Sequence, residues 1–241
     1  MSNITTALIG PSILNANLSN LYEECYQLMT NGADYLHLDV MDGHFVPELT
    51  IGPPVISTLK NSFKDSKPFF DVHLMVDNPR HWVERMAVSG ADRFTFHIEA
   101  LNDVIEVEEL CQYIHEHKMK VGIALKPYTT VDDYRLPPNI NGLVDMILVM
   151  TVEPGKGGQK LIYDCLEKVK HFRLMWPNLD IQVDGGVDLN NVEACAEAGA
   201  NLIVSGTGLL KTSDRKRAIS EMRSIANRAL PKCLQIPIIH A

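Results

Sequence analysis

The sequence predicts an α/β protein whose eight parallel strands and intervening helices close into one (β/α)8 barrel of the TIM type. Three observations carry this. The chain has 241 residues, close to the roughly 250 that one such barrel uses. Short apolar runs rich in Val, Ile, Leu and Phe alternate with longer amphipathic stretches along the whole chain, as in parallel strands covered on both faces. At Asn31–Asp34, Ser89–Asp92 and Ala198–Asn201 a glycine falls where a helix must end and a strand begin, the position that favours a left-handed cap. An open doubly wound sheet would want a G-x-G-x-x-G turn after the first strand, and Gly10-Pro11-Ser12-Ile13-Leu14 is not one.

The elements follow in order. A strand at Ala7–Ser12 leads to a helix over Leu18–Thr30, and a strand at Tyr35–Val40 to a helix over Pro54–Ser62. The third strand, Phe69–Met75, precedes a helix at Arg80–Ser89, and the fourth, Arg93–Ile98, one at Val104–His117. After the fifth strand, Lys120–Leu125, only a short turn is expected near Val131–Tyr134. The sixth, Met146–Met150, is followed by a helix over Gln159–Trp176; the seventh, Ile181–Asp184, by Leu189–Ala198; the eighth, Leu202–Ser205, by Asp214–Ala229. No linker or low-complexity tract divides the chain, so a single domain over residues 1–241 is expected. Its apolar tail, about residues 230–241, is expected to cover the barrel base or a subunit contact.

Composition narrows the function. Apolar residues make up 46% and charged residues 22%, ordinary for a globular enzyme. A formal charge of −8 argues against a nucleic-acid partner, which needs a basic stripe. Anionic metabolites stay open, because backbone amides can hold phosphate. Five scattered cysteines without C-x-x-C spacing read as reduced thiols. With no signal-peptide pattern and no membrane-length apolar run, a cytoplasmic protein without a membrane partner is expected.

In such barrels, function gathers at the C-terminal strand ends. There the sequence places Ser12, His37, Asp39, His73 and Asp184. His37 and Asp39 are two apart and share a strand face. Asp71 and His73 repeat the alternation on the next strand. Two His and two Asp converging on the mouth make a mixed nitrogen and oxygen donor set suited to Zn2+, Fe2+, Mn2+ or Co2+. His44, His81, His171 and His240 have no such company and are expected at the surface or behind the site. His97 faces the mouth and is expected behind a ligand rather than as one. His115 and His117, two apart on a helix, lie on different faces. Glycine-rich turns at Gly155–Gly158, Gly185–Gly186 and Gly206–Gly208 follow strands six, seven and eight, where barrels commonly hold phosphate.

The stretches HLDVMDGHFVP (His37–Pro47), DVHLMV (Asp71–Val76), MTVEPGKGGQK (Met150–Lys160) and VDGGV (Val183–Val187) resemble the ribulose-phosphate 3-epimerase family. The likeness runs from PSIL at Pro11–Leu14 to VSGTG at Val204–Gly208. It implies a metal-dependent isomerase of the pentose phosphate pathway, interconverting D-ribulose 5-phosphate and D-xylulose 5-phosphate at C3 through an enediolate. One divalent metal ion, Zn2+ first among the candidates, would be held by His37, Asp39, His73 and Asp184. Asp39 and Asp184 would also be the catalytic pair. Ser12 and His73 would contact the sugar, Met41, Met75 and Met150 would line the reaction centre, and Gly155, Lys156, Gly157, Gly158, Gly185, Gly186, Gly206 and Thr207 would bind substrate at the phosphate end. The partner is a small-molecule sugar phosphate, and a homodimer is the expected assembly. The chain departs from the family pattern at Lys156 (usually Phe), Glu48 (usually Asn) and Gly208. The alternatives are an epimerase for another ketose phosphate of the allulose 6-phosphate type, and a non-catalytic phosphate-binding barrel. A decarboxylase of related fold would need D-x-K-x-x-D, and Val40 stands where its Lys belongs.

Overall fold

The computed structural model describes residues 6–64, 67–133, 135–140 and 142–231. Eight strands form one parallel sheet: β1 (Leu8–Pro11), β2 (Leu36–Met41), β3 (Phe70–Met75), β4 (Arg93–His97), β5 (Lys120–Leu125), β6 (Met146–Met150), β7 (Asp180–Asp184) and β8 (Leu202–Ser205). Neighbours pair in the order β1-β8-β7-β6-β5-β4-β3-β2. A parallel bridge between Ser12 and His37 joins β1 to β2, so the sheet returns on itself as the predicted barrel. The helices are α1 (Leu21–Thr30), α2 (Pro53–Ser62), α3 (Val83–Ser89), α4 (Val104–Glu116), α5 (Cys165–Met175), α6 (Val192–Glu197), α7 (Thr207–Leu210) and α8 (Arg215–Ala229). None of them is long and apolar enough to cross a membrane.

Strand alternation builds two cores. Outward residues such as Leu38, Val72, Phe94, Ile123, Val149 and Ile203 pack beneath the helices. Inward, the wall formed by β6 and β8 is apolar, with Met146, Leu148, Leu202 and Val204. The inward wall of β2, β3 and β4 is polar and fully buried: His37, Asp71, His73, Thr95 and His97 each have no exposed surface. Buried polar groups on that scale persist only when hydrogen-bonded, and here they bond one another.

The glycine-containing motifs at the barrel base have a clear physical role. Gly32, Gly90 and Gly199 all adopt left-handed backbone angles after α1, α3 and α6, as expected. The residue that then opens each even-numbered strand clasps the odd-numbered strand before it. The amide of Asp34 bonds the Ile9 carbonyl at 2.9 Å, and the Asp34 carboxylate accepts from the Ile9 amide at 2.7 Å. The same two-way clasp joins Asp92 to Phe70, Asp145 to Val121 and Asn201 to Ile181. A helix supplies a basic group to each clasp: the helix preceding the odd strand for β3, β5 and β7, and the last helix of the chain for β1. These groups are Arg223 of α8 on Asp34, Lys60 of α2 on Asp92, His115 of α4 on Asp145 and Arg173 of α5 on Asn201. Asp92→Ala should lower stability by about 1–3 kcal/mol, because it strips the Phe70 amide of its acceptor and leaves the buried Lys60 ammonium without its carboxylate. A denaturant midpoint that does not move would contradict this.

Two expectations need correction. The helix expected over Gln159–Trp176 is shorter: α5 begins at Cys165, and residues 151–164 form a loop over the barrel mouth. The Gln159 side chain explains it, donating from Nε2 to the carbonyls of Glu153 (2.6 Å) and Lys156 (2.9 Å). This folds the loop on itself instead of starting a helix. The Ile162 amide then bonds the Thr151 carbonyl at 2.8 Å. The short α7, directly after Gly206, was not expected. Between β5 and β6 the described residues carry no helix, as the sequence indicated. Of the tail, only Leu230 and Pro231 fall among the described residues, and Leu230 is buried. Cys233 and His240 lie outside them.

Candidate active site

Strand register assembles the site. Adjacent positions across β2 and β3 place His37 beside Asp71, Asp39 beside His73 and Met41 beside Met75. Across β6 and β7, Met150 stands beside Asp184. Alternation therefore turns Asp39, Met41, Met75, Met150 and Asp184 toward one cleft of roughly 520 Å³, counted to its open mouth. Ser12, Gly155, Lys156, Gly157, Gly158, Gly185, Gly186, Gly206 and Thr207 line the same cleft. His37 and His73 lie beneath it, fully buried.

The four predicted metal-ligating side chains converge. His73 Nδ1 lies 3.1 Å from Asp39 Oδ1 and 3.8 Å from Asp184 Oδ2. His37 Nε2 lies 3.4 Å from Asp39 Oδ1, 3.6 Å from Asp184 Oδ2 and 3.4 Å from His73 Nδ1. One donor atom from each residue fits within a 4.8 Å span. Ligands bound about 2.0–2.2 Å from a shared cation sit about 3–4 Å apart, so the donor set has the spacing and chemistry of a divalent-metal centre.

Electrostatics agree. Burial alone would raise the Asp39 carboxyl, but the neighbouring His37 charge and hydrogen bonds from both imidazoles hold it far below the usual carboxylate range. Burial would likewise neutralise His37, yet the Asp39 charge and hydrogen bonds accepted by Asp184, Asp39 and Asp71 push its pKa well above the ordinary value. Metal binding needs the deprotonated ligand nitrogens, so it would compete with protons for this site. The Ser12 hydroxyl donates to Asp39 Oδ2 at 2.7 Å, fixing the carboxylate with Oδ1 toward the imidazoles.

Behind the site the structure adds residues to which the sequence reading gave no role. Asp71 Oδ2 meets His37 Nδ1 at 3.0 Å and accepts from Gln182 Nε2 at 2.7 Å, while its Oδ1 accepts from Thr95. Burial would raise the Asp71 carboxyl, but the Arg93 guanidinium, the His37 charge and hydrogen bonds from His37 and Gln182 together hold it far below the usual carboxylate range. A carboxylate on Nδ1 leaves Nε2 of His37 free for a cation. His97 is buried within the barrel against His73 rather than facing the open mouth, so the expectation that it stands behind a ligand agrees with its position. The alternation at Asp71 was visible in sequence; its partner Gln182, 111 residues away, was not.

The mouth loops fit their sequence. Gly186 has φ +69°, and a Cβ there would lie 2.4 Å from the Leu161 amide nitrogen, so only glycine lets the two loops close on each other. Lys156 is exposed at the rim, and Glu48 borders an adjoining groove that shares Asn15, Lys156 and Gly157. Gly208 abuts the Val187 carbonyl, where a Cβ would approach to 2.8 Å. His44 and His171 are exposed, and His115 pairs with Asp145.

Comparison with known proteins follows the same line. Residues 8–210 match the profile of the ribulose-phosphate 3 epimerase family. A ribulose-phosphate 3-epimerase of Schizosaccharomyces pombe is 44% identical over 92% of this chain and 95% of its own length. That of Bacillus subtilis is 40% identical over 89% of this chain and 97% of its own. Among solved structures, KGPDC from Streptococcus mutans superimposes with a TM-score of 0.69 at 15% identity, covering 94% of this chain and all of the other, a likeness of fold. The chain belongs to the ribulose-phosphate 3-epimerase family.

Proposed function

We propose that the chain interconverts D-ribulose 5-phosphate and D-xylulose 5-phosphate by moving the proton at C3. The observation that carries this is the pair Asp39 and Asp184, which enter one cleft from β2 and β7 above two buried imidazoles. Epimerisation removes a weakly acidic proton beside a ketone and returns one to the opposite face. A single base cannot serve both faces of a planar intermediate, so two carboxylates are required. Asp39, held ionised, is ready to accept a proton, and its Ser12 bond keeps the second oxygen aimed. Asp184 serves the other face, with about 13% of its side chain open to the cleft.

His37, Asp39, His73 and Asp184 would hold one divalent cation, which would supply Lewis-acid stabilisation for charge developing on the substrate oxygens. The three methionines wall the reacting carbon without offering a strong hydrogen-bond donor or acceptor, which keeps water out. The backbone amides of residues 155–158, 185–186 and 206–207 suit the phosphate, with the Lys156 ammonium at the rim. Solvent deuterium exchange tests the reading. Ribulose 5-phosphate incubated with the protein in D2O should take up label at C3 in both epimers. Absence of C3 label, or label only with a hexulose 6-phosphate, would move the assignment to another ketose phosphate.

A further inference from the structure

The two buried imidazoles are not held alike. His37 rests directly on a carboxylate through Nδ1, whereas the outer nitrogen of His73 reaches one only through a second imidazole. His73 Nε2 lies 3.0 Å from His97 Nε2, and His97 Nδ1 lies 3.0 Å from Glu99 Oε2. Glu99 itself is pinned: its Oε1 accepts from the Lys126 amide at 2.7 Å and from the Thr129 hydroxyl. The loop bearing those donors is tied down by Lys168 of α5, whose ammonium donates to the carbonyls of Lys126, Pro127 and Thr129 at 2.6–2.9 Å.

The hydrogens in this chain are determined by its ends. An ionised carboxylate only accepts, so His97 Nδ1 must carry the hydrogen. A neutral His97 then presents a bare Nε2, which accepts from Nε2–H of His73 and leaves His73 Nδ1 as the nitrogen facing Asp39 and Asp184. We infer that Glu99 and His97 are positioning residues that dictate which nitrogen of His73 is presented to the cation. This rests on the metal reading of the site. It adds to that reading a relay of three side chains spanning β3, β4 and the turn after β4.

The isosteric variant Glu99→Gln makes a sharp test. The Lys126 amide is an obligatory donor, so the new side-chain oxygen must turn toward it and the new NH2 group toward His97 Nδ1. His97 must then carry its hydrogen on Nε2, opposing the Nε2–H of a metal-bound His73 across 3.0 Å. Zinc affinity, measured by chelator competition, should fall by about 10–100-fold, the usual effect of losing an outer-shell partner of a metal ligand. Imidazole 15N shifts of the zinc-loaded proteins should show His97 protonated on Nδ1 in the wild type and on Nε2 in the variant. A merely structural role for Glu99 would leave that tautomer unchanged. Unaltered zinc affinity in Glu99→Gln would overturn the inference. If the variant does not fold, the wild-type spectrum alone decides, because a hydrogen on His97 Nε2 is incompatible with the relay. A wild-type chain that binds no zinc would instead remove the metal reading underneath it.

Discussion

Replacing Asp184 with asparagine should cut epimerisation by about 10²–10⁴-fold, the usual contribution of one positioned acid or base. Asparagine keeps the size of the side chain and one oxygen donor, so the floor of the cleft should survive; what disappears is the group able to carry a proton on that face. Asp39, still ionised and still anchored by Ser12, should continue to exchange the C3 hydrogen of one epimer. Turnover should therefore collapse while deuterium continues to enter recovered substrate on one face. A variant that epimerises within threefold of the wild type would show that Asp184 is not the second base.

Removal of the divalent cation should be equally damaging. Loss of a single preorganised group that stabilises developing oxyanion charge commonly costs about 10²–10³-fold, and the cation that His37, Asp39, His73 and Asp184 would hold would supply such stabilisation. Dialysis against a chelator should lower kcat by at least that factor, and added Zn2+, Mn2+, Fe2+ or Co2+ should restore it. The fold should not collapse, because the four side chains are held by strands paired within the closed sheet. Far-UV circular dichroism should stay unchanged. Full turnover by chelated protein with no detectable bound metal would defeat the assignment.

Most of the barrel was legible because its signals are local. Each strand is a short apolar run, and β5, β6 and β8 match the expected bounds residue for residue. The cluster of His37, Asp39, His73 and Asp184 was partly legible for the same reason: His37 and Asp39 announce a shared face by their spacing alone. What escaped depends on long-range partners. The loop at 151–164 is shaped by a glutamine turning back on carbonyls, and nothing in the polar pattern after Gly158 distinguishes that from a helix start. Asp71 reads only as the partner of His73 in the strand alternation until the fold delivers Gln182 and Arg93 beside it. Glu99 reads as a polar residue leaving a strand, and only the loop after β5 reveals what it holds.

The four clasps at the barrel base also bear on the order in which the chain can be finished. Three of them draw their basic group from a helix made just before the strands it secures. The fourth does not: Asp34 waits for Arg223, 189 positions later in synthesis, and the Ala7 amide waits for Asn227. During translation the earliest strand pair is therefore the last to receive its charge partner. Completion of the clasp between β1 and β2 is coupled to emergence of α8 from the ribosome, so a nascent chain halted before that helix leaves the Asp34 carboxylate without its guanidinium.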